Sequence, residues 1–193
     1  MNRSVLLIIG FLMLLSPIAW GQIFLDNASF EDEPADATVP HGWFPCASGT
    51  TPDILPGYWG VYDEASDGET YVGLITRTDG TFESIGQRFS SPLAEQTCYK
   101  FNIDLAKSDN YSGYNKSVKL RIWISDKKCS NKQLIFQTDF IENEDWETFM
   151  VEFTAEKKAK YIIIEAYHSD KAESHKGNIM VDNISPIVFC KQA

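Results

Sequence analysis

The chain has 193 residues, with 27 acidic side chains against 17 basic ones. Residues 1–21 join an early Arg3 to an apolar run from Val5 to Leu15 and close on Pro17, Ala19, Trp20 and Gly21, which predicts a signal peptide cleaved before Gln22. Cleavage removes Arg3 and leaves 16 basic residues facing 27 acidic ones, a net charge of −11 that excludes nucleic acid as a partner.

The apolar run is shorter than the roughly 20 residues a membrane-spanning helix needs, so the chain is expected not to span a membrane. The expected location is secreted, either periplasmic or at the cell surface. About 170 residues then remain, enough for one domain with a full core, over residues 22–193. The four cysteines, Cys46, Cys98, Cys129 and Cys190, predict two disulfides in an exported chain. Their spacing leaves all three pairings open, and none has the close CxxC spacing of a zinc or redox site.

Alternation with period two, rich in aromatic and β-branched residues, runs through the chain, and no segment sustains a helical apolar period. In order, strands are expected at residues 23–25, 71–76, 84–89, 98–105, 117–125, 133–138, 147–154, 161–167 and 178–189. In "SVKLRIWIS", Val118, Leu120, Ile122 and Ile124 share one face while Lys119, Arg121 and Trp123 share the other, so one face is buried and one meets solvent or a ligand. About nine short strands joined by Gly, Pro, Asn and Asp turns predict an all-β antiparallel sandwich. A long irregular stretch separates the first strand from Tyr71, and Cys46 is placed to pin it.

"NASFE" (residues 27–31), the following Gly42-Trp43, "GETYVGLIT", "ESIGQRFSSPLAEQTCYKFNIDLA", "DWETFMVEFTA" and "GNIMVDNISPI" occur in the order seen in carbohydrate-binding-module-like jelly rolls of the galactose-binding superfamily. The chain resembles that family over nearly all of its mature length, and more narrowly the single jelly-roll modules of exported bacterial envelope proteins. The resemblance implies a structural calcium held by Glu31 of the opening motif and Asp182 of the closing strand, together with backbone carbonyls. The ligand chemistry suits that ion, which takes six to eight oxygens. The alternative is that Asp26 and Asn27 make turn hydrogen bonds, Phe30 packs inward, and Glu31 to Glu33 form a solvated acidic face.

Sugars are gripped by aromatic rings stacked on their C–H faces and by hydrogen bonds to their hydroxyls. Two loop clusters supply such groups: Tyr58, Trp59 and Tyr62 in "PGYWGVYDE", and Asp109, Asn110, Tyr111, Tyr114 and Asn115 in "KSDNYSGYNKS". Arg121 and Trp123 add a third candidate surface, whereas Trp43 and Trp146 read as core. The expected function is a non-catalytic module binding carbohydrate, with a protein-interaction or adhesion module of the envelope as the alternative. A glycoside hydrolase is the remote possibility, carried by Glu142 and Glu144 of "ENEDWE", which could share a face as paired acid and nucleophile must, against the reading of the segment as an acidic turn leading into the Trp146 strand. His41, His168 and His175 lack HExxH spacing, and no GxSxG elbow is present.

Overall fold

The computed structural model describes residues 21–169 and 175–190, so the expected leader lies outside the described residues except for Gly21. The described chain contains no helix and forms twelve strands. These are β1 (Phe44–Pro45), β2 (Asp53–Leu55), β3 (Tyr71–Thr76), β4 (Ser84–Leu93), β5 (Thr97–Ala106), β6 (Lys116–Ser117), β7 (Lys119–Ser125), β8 (Gln133–Gln137), β9 (Glu147–Ala155), β10 (Ala159–Tyr167), β11 (Gly177–Asp182) and β12 (Val188–Phe189).

They pack as two sheets in a jelly-roll sandwich. The smaller has the order β1-β4-β10-β7-β8. The larger has the order β12-β5-β11-β3-β2, with β9 paired to β5 and the two-residue β6 laid parallel to β11. Every other pairing is antiparallel.

The alternation of β7 fixes its orientation. Leu120, Ile122 and Ile124 are buried between the sheets, beside Ile162, Ile164 and Ala166 of β10. Val72, Leu74, Ile103, Leu105, Val151, Ile179 and Val181 complete this core from the larger sheet. Burying each such side chain is worth about 1.5–3 kcal/mol, which is what holds two otherwise two-sided sheets face to face.

Three boundaries differ from expectation. The amino-terminal strand shrinks to a single bridge between Ile23 and Ile187. The closing strand splits into β11 and β12, because Asn183 takes a left-handed conformation (φ 48°) and Pro186 follows it. Within the long irregular stretch, β1 and β2 are short strands at the sheet edges.

The pairing left open by the sequence is Cys46–Cys129 and Cys98–Cys190. Cys98 and Cys190 tie β5 to the segment after β12, closing a 92-residue separation. Cys46 follows β1 at one edge of the smaller sheet, whereas Cys129 lies in the hairpin 126–132 joining β7 and β8 at the other edge. That bond therefore draws the hairpin across the outer face of the smaller sheet.

A second apolar cluster lies on the outer face of the larger sheet. Tyr71 and Ile75 of β3, Leu55, Ala106 and Met180 are covered there by Val61, Tyr111, Tyr114 and Trp146. Loops 56–65 and 107–115 are held down as a lid over that face.

Candidate functional site

The outer face of the smaller sheet gathers side chains from four strands and one hairpin. Strand register places Arg121 opposite Glu165 on one side and Gln137 on the other. Trp123 lies opposite Ile163 and Leu134. Tyr161 lies between Ser125 and Arg88.

Glu165, only 3% exposed, accepts hydrogen bonds from Trp123 Nε1 at 2.9 Å and Asn131 Nδ2 at 3.2 Å, with Arg121 Nη1 3.9 Å away. Burial pushes its carboxyl above the ordinary glutamate range, opposed by the Trp123 and Asn131 donors and by the Arg121 charge. Arg121 stacks its guanidinium 3.1 Å from the centre of the Tyr167 ring and donates Nε–H to Gln137 at 2.8 Å. Phe44 meets Tyr161 edge-on at 6.2 Å, and Gly86 makes room for it, since a Cβ there would lie 2.8 Å from the Phe44 ring. Ile163 faces outward by alternation yet is fully buried, which shows how closely this face is covered.

Glu165 thus acts as a strut that fixes the planes of Trp123 and Arg121. A fixed aromatic plane beside a rigid multi-donor cation suits the C–H face and hydroxyls of a sugar.

Arg121 and Trp123 were singled out by the alternation of β7. Phe44, Tyr161, Glu165 and Tyr167 were not, although Tyr161, Ile163, Glu165 and Tyr167 alternate with Ile162, Ile164 and Ala166 in "YIIIEAY", a signal of the same kind.

The two loop clusters adjoin each other, but over the opposite sheet. Ser112 N–H donates to Trp59 O at 2.8 Å, and Gly60 packs on the backbone of Asn110. Tyr58, Trp59 and Tyr62 are exposed, Tyr62 most of all at 74%. Trp59 adopts a left-handed backbone (φ 53°) that bulky residues rarely take, and its indole N–H is anchored to Asp36 at 2.9 Å.

Tyr111 corrects the expectation. It is fully buried, and its hydroxyl donates to Asp53, so it is a pillar of the second core and not a ligand contact. Tyr114 is half-buried and packs edge-on against Tyr111. Asp109 and Asn110 remain exposed, with Asp109 ion-paired to Lys107. Trp43, stacked on Phe30 at 5.0 Å, and Trp146, edge-on to Tyr71 at 5.2 Å, pack as expected.

The two acidic residues of the calcium expectation converge on loop 63–70. Glu31 accepts from Glu69 N–H at 3.0–3.1 Å and Thr70 N–H at 3.4 Å. Asp182, fully buried, accepts from the backbone N–H groups of Ser66 (2.8 Å), Asp67 (3.0 Å) and Asn183 (2.7 Å). The Ser29 hydroxyl sits between Asp182 (3.3 Å) and Asp67 (2.7 Å). Burial pushes the Asp182 carboxyl up to about 6 against those donors.

No Lys or Arg is ion-paired to Asp182 among the described residues, and its oxygens, like those of Glu31, are met by backbone N–H and hydroxyl donors. Asn27 is a turn-former, its side-chain oxygen accepting Glu31 N–H at 2.7 Å. The one group of three His, Cys, Asp or Glu ligand atoms close enough for a metal among the described residues is Cys98, Glu152 and Cys190, whose sulfurs are spent in a disulfide.

"ENEDWE" is not a strand. Glu142 and Glu144 are both exposed in an irregular segment organised by Asn143, which donates to Leu105 O and Asp145 O and accepts Lys107 N–H. The strand alternation that would pair the two carboxylates is absent, and the hydrolase expectation loses its geometric basis.

No family model and no curated protein matches the chain. Solved structures do. A cleaved adhesin domain of Lys-gingipain from Porphyromonas gingivalis superposes with a TM-score of 0.57 at 12% identity, covering 86% of this chain and 98% of that one. A CBM22-1 xylan-binding domain from Paenibacillus barcinonensis gives 0.53 at 13% identity, covering 86% and 94%. A family 16 carbohydrate-binding module gives 0.50 at 17%, covering 85% and 98%. The chain has the jelly-roll fold of carbohydrate-binding modules and adhesin domains.

Proposed function

We propose that this chain is a non-catalytic carbohydrate-binding module that holds a glycan across the outer face of its smaller sheet. One observation carries the reading: strand register and a buried Glu165 lock Trp123 and Arg121 side by side, with Tyr167 stacked beneath the guanidinium. A planar ring for a sugar face and a fixed donor array for its hydroxyls are the two elements such recognition needs. The likeness in fold to binding modules supports this reading. The two disulfides support an oxidising location, secreted or at the cell surface.

Calcium belongs to the reading as a structural ion. Glu31 and Asp182, together with backbone carbonyls, would hold it, and its charge would offset the acidic loop around them.

The test is a glycan array probed with the mature chain, with calcium and with chelator, alongside Trp123→Ala and Trp59→Ala. Specific hits lost in Trp123→Ala and kept in Trp59→Ala support the sheet face. Hits lost only in Trp59→Ala move the site to the loop. A blank array from folded protein favours the second reading, an adhesion module for an envelope protein, which the likeness to adhesin domains and the exposed loop at Trp59 support.

A further inference from the structure

Charge is distributed unevenly along the sandwich. Loops 26–36 and 63–69 contain nine Asp and Glu residues and no Lys or Arg. At the other end, the hairpin 126–132 and the turn 156–160 hold Lys127, Lys128, Lys132, Lys157, Lys158 and Lys160, six of the 17 basic residues. Asp126, Glu156 and the neighbouring Glu95 balance only half of them.

The β5–β9 ladder measures the separation. Thr97 pairs with Ala155 at the lysine end, while Asp104, which accepts from Ser66 of the acidic loop, pairs with Thr148 seven residues further on. At about 3.3 Å per residue the two ends lie roughly 23 Å apart, more than twice the screening length at physiological salt. The lysine end therefore keeps its own positive potential in a chain of net −10.

That end is also concave. A groove of about 530 Å³ is lined by Lys132, Lys157, Lys158 and Lys160, with the carboxylates of Glu95, Asp126 and Glu156 also in its wall, so that lysines outnumber acids by four to three. Among the described residues, only Lys157 of the four makes an ion pair, 4.0 Å from Glu95. The groove continues the proposed glycan surface. Its wall residue Ser125 is the cross-strand partner of Tyr161, which sets the groove at the border of the aromatic face. Lys128, on the hairpin beside it, places Nζ 4.1 Å from the centre of the Phe44 ring.

A ligand lying on Trp123 and Tyr161 would end beside this lysine-rich groove. Ammonium groups are donors with no acceptor capacity, so their clustering favours ligands bearing charge over neutral hydroxyls.

We infer that the ligand is an acidic polysaccharide, with carboxylate-bearing uronic acid residues seated among the four groove lysines and neighbouring sugars on the aromatic face. The inference rests on the proposed sheet-face function and adds the charge class of its ligand. Non-specific adsorption does not explain such binding, because the whole chain repels polyanions.

The test is affinity electrophoresis of the mature chain through polygalacturonate, highly methyl-esterified polygalacturonate and neutral xylan, each at 50 and 300 mM salt. It includes Trp123→Ala and the quadruple variant Lys132→Gln, Lys157→Gln, Lys158→Gln, Lys160→Gln, with thermal melts confirming that both fold. Expected is retention on polygalacturonate roughly tenfold stronger than on its ester, weakened about tenfold by high salt and by the quadruple variant. Retention on ester or xylan that Trp123→Ala abolishes and the quadruple variant leaves intact overturns the inference while keeping the sheet-face site. Retention on polygalacturonate lost in the quadruple variant but unchanged in Trp123→Ala keeps the groove and removes the sheet face. Binding to anionic phospholipid vesicles with none to any polysaccharide overturns both.

Discussion

Replacing Tyr111 by Phe removes one hydroxyl from the second core and leaves the ring, so it separates a structural role from a ligand contact. The hydroxyl donates to Asp53, and both side chains are buried, at 0% and 4% exposure. Without it the Asp53 carboxylate keeps the Ala37 N–H at 2.8 Å, and one oxygen loses its side-chain donor in a dry site. A hydrogen bond to a charged group is worth about 1.5–3 kcal/mol, and no cavity opens because the ring remains, so the expected loss is about 2 kcal/mol at neutral pH. For a domain of this size that is a fall of roughly 4–8 °C in Tm.

The loss has a pH signature. Burial already raises the Asp53 pKa while the Tyr111 donor lowers it, so removing the donor raises it further. A raised carboxyl costs stability only where it must ionise, so the deficit of Tyr111→Phe is largest above the folded-state pKa. It shrinks as pH falls to where Asp53 is protonated in both folded and unfolded chains. Urea unfolding of the wild type and Tyr111→Phe at several pH values measures this directly. A variant as stable as wild type at neutral pH refutes the buried pillar. Unchanged stability with lost glycan retention restores Tyr111 as a ligand contact.

Gly86→Ala puts a methyl 2.8 Å from the Phe44 ring and 2.9 Å from Cys46 Sγ, so it should shift the ring and weaken glycan retention at a stability cost of about 1–3 kcal/mol, read by binding and melting in parallel. Glu165 has a raised carboxyl, so its contribution to stability is complete at acid pH and is lost as pH rises through its folded-state pKa. Wild type should therefore lose ground against Glu165→Gln as pH increases above the ordinary glutamate range, and parallel pH profiles would contradict this. The Cys98–Cys190 bond closes a separation of 92 residues, and Cys98→Ser with Cys190→Ser should cost about 4–5 kcal/mol in denaturant unfolding, from unfolded-chain entropy.

The sequence alone determined the main strands and which face of each is buried, though not the short strands β1, β2 and β6, because side chains alternate at every residue and apolar ones must leave water. That is why Leu120, Ile122 and Ile124 point inward and Arg121 and Trp123 outward, in sequence and structure alike. Only the tertiary structure decided what those faces meet. Tyr111 sits in a polar stretch that reads as an open loop, yet long-range packing against Leu55, Tyr71 and Met180 makes it core. Trp59 and Trp123 belong to separate candidate surfaces in the sequence, and only the order of strands across two sheets shows that they lie on opposite sides. The cysteine pairing was equally beyond local patterning, since it depends on the hairpin 126–132 crossing a face to reach Cys46. Glu165 was visible as an outward position in β10, but its role as the strut for Trp123 exists only once β7 and β10 lie in register.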